Sequence, residues 1–148
     1  MAAKKAKIVV SACLLGENCR YDGTSRENSK AKYLAKEFDL IPVCPETLGG
    51  LPTPRPGAEI ESGDGIDVLK GKTRVVDMTG HDVTACFIEG AKRTLQIIKE
   101  NAVHRVILKS KSPSCGVKNI VRNGQKISGS GVTAALLRYE GISLEEFD

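Results

Sequence analysis

The sequence has 148 residues, 41% hydrophobic and 27% charged, with a net charge of +4. That length fits one domain able to bury roughly 68–70% of its unfolded surface, so it folds without staples. Aromatics are scarce at 4% with no Trp, which argues against nucleic-acid binding by stacking, and no apolar run reaches the ~20 residues that cross a bilayer.

The opening "MAAKKAKIVVSACLLG" sets basic residues before an apolar run, as a signal peptide does. The run is short, however, contains Ser11 and Cys13, and leads into the polar "GENCRYDG". It reads as a buried strand over 7–12 behind a frayed start, and the expected compartment is the cytoplasm. A helix with a Ser N-cap is expected over 25–38, and a strand over 39–44. Residues 45–72 are rich in Gly and Pro, lack an apolar period and read as one long loop. A third strand is expected over 73–78. Residues 82–102 form the clearest helix, with Val83, Phe87, Ala91, Leu95, Ile98 and Ala102 on one stripe and Asp82 as N-cap. A fourth strand, 105–110, and a helix over 130–141, capped by Ser130 and closed by Gly141, complete the pattern.

The strands do not alternate, as expected of strands covered on both faces. Strand–helix alternation predicts an α/β fold: a single compact three-layer domain, residues 1–148, with a mainly parallel, Rossmann-like sheet and one long Gly/Pro-rich loop.

Cys13, Cys44 and Cys115 each fall at or just past the carboxyl end of an expected strand, where open α/β sheets bind ligands. Parallel neighbours would bring the thiols to one rim, although no Cys-x-x-Cys pair marks a local metal site. Three soft thiolates suit iron–sulfur chemistry or zinc, and three ligands leave one metal position open. Buried cysteine is also an ordinary core residue, and Cys86, beside the helical stripe, fits that role. Cys19 reads as a spare thiol, a fourth ligand or a redox partner.

The blocks "VSACLLGENCRYDG" (10–23), "PVCPETLGGLPTPRPGAEI" (42–60), "LKSKSPSCG" (108–116) and "GSGVTAALL" (129–137) together resemble the DUF523 family of small bacterial proteins, whose characterised members are 2-thiouracil desulfurases. The resemblance runs from about residue 8 to about residue 137. It implies a 4Fe–4S cluster held by Cys13, Cys44 and Cys115 with one iron free of protein ligands, and a small thiolated base as substrate. It further implies that Glu46 handles protons and that Ser112 or Ser114 positions substrate or water. The family's first block usually has no cysteine where Cys19 stands, so no role carries over to it.

The residues admit plainer uses as well. Glu46 can form a salt bridge with Arg20 or Arg55, and Ser112 and Ser114 can cap the turn around Pro113. Arg20, Tyr21 and Asp22 can recognise a base edge or merely build a turn ending at Gly23. Arg55 can reach the site mouth or lie solvated, Glu59 has no role, and His81 and His104 read as structural. A non-catalytic sulfur or metal carrier would use the same three thiols. A thiol oxidoreductase is weaker without a Cys-x-x-Cys pair. Membrane and nucleic-acid partners are not expected, and the sequence does not set the oligomeric state.

Overall fold

The computed structural model describes residues 5–148. Along the chain run β1 (Lys7–Ser11), α1 (Ser29–Tyr33), β2 (Asp39–Val43), α2 (Pro45–Leu48), β3 (Ala58–Ile60), α3 (Gly65–Leu69) and β4 (Val75–Asp77). There follow α4 (Thr84–Glu100), β5 (Val106–Lys109), β6 (Asn119–Arg122), β7 (Gln125–Ser128), α5 (Val132–Tyr139) and β8 (Leu144–Phe147). Single 3-10 turns occupy Ala12–Leu15 and Leu34–Lys36.

Four strands make one parallel sheet in the order β2-β1-β5-β8. Successive side chains point to opposite faces, so β1 sends Val9 one way and Ile8 and Val10 the other. Val9 joins Val43, Val106 and Leu108 against Ile98 of α4 and Ala134 and Leu137 of α5. Ile8, Val10 and Ile107 meet Leu14, Ala31, Leu34 and Phe38 on the opposite face. Both faces are dry along the central strands β1 and β5, which is why these carry unbroken apolar runs. A third apolar cluster, with Ile60, Val68, Val75, Phe87, Ala91, Ile120 and Val132, packs the β3–β4 hairpin and α3 onto α4 and α5. Burying each such Val, Ile or Phe contributes about 1.5–3 kcal/mol.

Several expectations are corrected. The strand expected over 73–78 is β4, and it pairs antiparallel with β3 outside the main sheet. The fourth parallel strand is β8, in a segment without apolar periodicity. Residues 45–72 are not one loop, since α2, β3 and α3 interrupt them. Short elements there are held by capping: Asp64 accepts from the Ile66 N–H at 3.0 Å, and Asp67 accepts from the Asp64 N–H at 3.0 Å. The first helix is capped by Asn28, whose Oδ1 accepts from the Ala31 N–H at 3.1 Å, and not by a serine. Helix α4 begins at Thr84, whose N–H donates to Asp82 Oδ1 at 2.9 Å, and it ends before Ala102, which is exposed with φ 51°. At the start of α5 the cap position is Gly131, and the buried Ser130 hydroxyl has no hydrogen-bond partner. Among the described residues no helix is long and apolar enough to cross a membrane.

Helix α2 lies directly against α4. A Cβ on Gly49 would strike the carbonyl oxygen of Cys86, and one on Gly90 would strike that of Pro45. Two glycines thus let the backbones touch, which fixes where β2 hands over to α2.

Candidate functional site

Parallel pairing of β1 with β2 and β5 brings the carboxyl ends Ser11, Val43 and Lys109 to one edge of the sheet. A cysteine follows each. Cys13 sits in the 3-10 turn after β1, Cys44 takes the N-cap position of α2, and Cys115 lies in the turn after β5. All three, together with Cys19, line one cavity of about 690 Å³. That size is within the roughly 300–1,000 Å³ of small-molecule sites.

The Cys115 turn is built by Ser112. Its Oγ accepts from the N–H groups of Ser114 at 3.1 Å and Cys115 at 3.0 Å, while its carbonyl accepts from Gly116 N–H at 2.9 Å. A Cβ on Gly116 would meet the Asn119 carbonyl, so the close passage requires glycine. The carbonyls of Pro113 and Ser114 then accept from the N–H groups of Val132 and Thr133, both at 2.9 Å. These are the donors a helix start leaves unpaired, so turn and α5 form one unit.

The sulfurs interact. The Cys44 thiol donates to the Cys19 carbonyl at 3.7 Å, and Cys19 offers its proton toward Cys13. The proton offered by Cys19 lowers the Cys13 pKa, and the same bond pushes Cys19 up to about 11. Cys44 is raised by its bond to Cys19 and then by burial, against the pull of Thr47. Burial pushes Cys115 up to about 12, opposed by the hydroxyls of Ser11 and Ser114. Cys44 and Cys115 also raise Cys13 through charge, so the trio becomes fully thiolate only opposite a cationic group. Among the described residues no three His, Cys, Asp or Glu side chains are arranged to hold a single metal ion. The thiols surround a space, and soft donors placed so fit a larger iron–sulfur group better than one zinc ion.

Glu46 stands in the cavity wall two residues after Cys44. Burial raises its pKa, opposed by Arg55, whose Nε donates to Glu46 Oε1 at 3.2 Å. Arg55 is only 8% exposed, a burial that its charge tolerates only with full pairing. It donates to the carbonyls of Pro52 at 3.1 Å and Cys19 at 3.0 Å and to Thr53 Oγ1 at 3.1 Å, while its own N–H bonds the Tyr21 carbonyl at 2.7 Å. The salt bridge and the cavity position therefore hold together.

Of the other residues singled out in the sequence, Ser112, Arg20, Tyr21 and Glu59 line the cavity. Ser114 does not line it; its buried hydroxyl meets Thr133 Oγ1 at 2.9 Å. Asp22 binds Thr24 within the 20–24 turn, and Gly23, at φ 78°, donates to Arg20 O. His81 and His104 are exposed and Cys86 half-buried, all outside the cavity. Ser11 and Lys109 are among the lining residues that the sequence did not single out. Ser11 accepts from Lys109 N–H at 2.8 Å, and Lys109 places Nζ 3.1 Å from Ser110 O and 3.6 Å from Asp148 Oδ1. Burial lowers the Lys109 pKa. Their only sequence signal is their place at strand ends.

A family model described as 2-thiouracil desulfurase matches residues 8–147. The chain is 48% identical over 137 residues to a Bacillus subtilis (strain 168) protein called "Uncharacterized protein YbbK", covering 90% of this chain and 91% of that one. It is also similar to the solved structure of a 4Fe-4S-dependent thiouracil desulfidase, TudS, with a TM-score of 0.83, 41% identity, and coverage of 96% of this chain and 91% of that one.

Proposed function

The chain belongs to the 2-thiouracil desulfurase family, and from that membership we propose that it removes sulfur from a thiolated pyrimidine such as 2-thiouracil, giving the oxo base and hydrosulfide. In this reading the whole chain acts as one cytoplasmic desulfurase domain. A 4Fe–4S cluster is held by Cys13, Cys44 and Cys115. The observation that carries the reading is the meeting of these three chain-distant thiols on one cavity.

The cluster, when bound, supplies a thiophilic Lewis acid with one iron free of protein ligands. The protein's residues do the rest. The Cys13, Cys44 and Cys115 sulfurs anchor the group. Glu46 Oε1 is held by Arg55 Nε, which leaves Oε2 to take a proton from the attacking water. Ser112 Oγ accepts two backbone N–H bonds, so its own hydrogen is free to donate to the substrate or the water. Ser114, turned to Thr133, supports the turn instead. Val43, Pro45 and Pro113 supply apolar wall beside these polar groups.

The test is anaerobic reconstitution with iron and sulfide. A brown protein that releases many equivalents of sulfide from 2-thiouracil is expected, with iron binding lost in Cys44→Ala. A colourless product, or iron binding unchanged in Cys44→Ala, overturns the reading. Release limited to one equivalent would mark a carrier.

A further inference from the structure

Four sulfurs, not three, line the cavity, and the fourth has no part in the proposed chemistry. Cys19 packs against the apolar cluster that contains Cys13, and both residues line the cavity. Its main chain is tied down, since its carbonyl accepts from Arg55 Nη2 at 3.0 Å and from the Cys44 thiol at 3.7 Å. The chain between Cys13 and Cys19 folds back through Gly16, at φ 96°, whose N–H donates to Cys13 O at 3.3 Å. Cys13 is buried while Cys19 is half-buried at the cavity wall, so an oxidant reaches the pair from the cavity side.

We propose that Cys13 and Cys19 are a reversible oxidation site that takes a hydroperoxide and closes as a disulfide when Cys13 is not engaged by metal. The Cys13 sulfur attacks the peroxide oxygen, the O–O bond breaks, and a sulfenic acid forms with release of water or alcohol. The Cys19 sulfur then displaces hydroxide from that sulfur, and the proton shed by Cys19 makes it water. Two thiols are oxidised by two electrons and one peroxide is reduced. A dithiol reductant reverses the bond. The pairing protects a prospective ligand from the irreversible sulfinic and sulfonic states. Cys13 is preferred over Cys44 because it lies in the same short turn-back as Cys19, whereas Cys44 must stay at the α2 cap. The disulfide step rests on the chain's own sulfurs, and only the iron readout below rests on the desulfurase reading.

The experiment treats the full-length, iron-free protein with hydrogen peroxide, alkylates it and digests it with trypsin. Cleavage after Lys7 and Arg20 puts Cys13 and Cys19 in one peptide, 8–20, and Cys44 in another, 37–70. The expected product is peptide 8–20 two hydrogens lighter and unalkylated, with two of the five thiols lost and both restored by dithiothreitol. Cys19→Ser should instead accumulate sulfinic or sulfonic acid at Cys13. After peroxide and dithiothreitol it should rebind severalfold less iron than the wild type. A crosslink of Cys19 to the 37–70 peptide, peptide 8–20 fully alkylated after peroxide, or Cys13 equally recoverable in Cys19→Ser overturns the proposal. The peptide result is decisive even if no cluster ever assembles.

Discussion

At the residue scale the site is a contest between burial and pairing. Glu46 sits against a guanidinium that is itself almost wholly inside the protein, and one change separates its two uses. Glu46→Gln keeps the shape and a hydrogen-bond acceptor for Arg55 but cannot take a proton. Iron content after reconstitution should match the wild type while the turnover number falls at least about 10²-fold, the scale of a lost general base. Equal turnover would reduce Glu46 to a structural partner. The cysteines were legible because each ends a run of apolar residues, so strand direction alone predicted a shared rim. Arg55 was legible as a partner for Glu46, but its bonds to Pro52, Thr53 and Cys19 were not, because no local pattern announces a side chain that ties such segments together. The contact of Ser114 with Thr133 left no mark in the sequence for a similar reason: Thr133 belongs to a helix that is adjacent only in space.

At the element scale the position of Cys44 depends on the α2–α4 contact. Gly90→Ala would drive a methyl group into the Pro45 carbonyl. Such overpacking costs about 1–3 kcal/mol, and its relief must move α2 with Cys44 and Glu46. A lower midpoint in denaturant and a reduced iron load after reconstitution are expected, while Ala91→Gly, one residue on, should lower stability without the same loss of iron. Legibility at this scale followed length and dryness. The helix over 84–100 and the buried strands β1 and β5 stood out because packing imposes a period or an unbroken apolar run on them, and β2 stood out by its apolar stretch Leu40–Val43, of which only Val43 is buried. Strand β8, "LEEF", is half-buried and charged, and so carries neither mark. The β6–β7 hairpin did have a signal that went unread: Asn123 and Gly124 occupy positive φ at 54° and 73°, the conformation that a two-residue hairpin turn demands.

At the scale of the whole molecule the sheet depends little on the site. Its core clusters close around β1 and β5 with Cys13 and Cys115 as minor members, so iron-free protein should stay folded. The outer edge is held partly by charge, since Arg105 binds Glu145 with Nη2 3.1 Å from Oε1 and joins β8 to the residue preceding β5. The hydrogen bond from Arg105 lowers the Glu145 pKa. A depressed carboxylate contributes stability that is fully present above its unfolded pKa and is lost as pH falls through its lower folded value. Both partners are more than a third exposed, so the contribution is small, about 0.2–1 kcal/mol. Glu145→Gln should therefore lower stability slightly at pH 7, and chemical denaturation should show the gap closing in acid below the ordinary glutamate range. A gap that persists there would assign the effect to packing. The parallel sheet and its covered faces were readable from composition and order along the chain. The two antiparallel pairings were less so: β4 stood out as a strand but not its partner β3, and the short strands β6 and β7 left only their Asn123-Gly124 turn as a mark.

The binding of the Cys115 turn to the first amides of α5 gives the rim unequal stiffness. On that side the ligand-bearing loop and a packed helix can shift only together. Across the opening, residues 16–28 are mostly exposed and hold no regular element. Any widening needed to admit a flat ring must come from the Tyr21 side, so the guest's orientation is set by the wall that cannot yield.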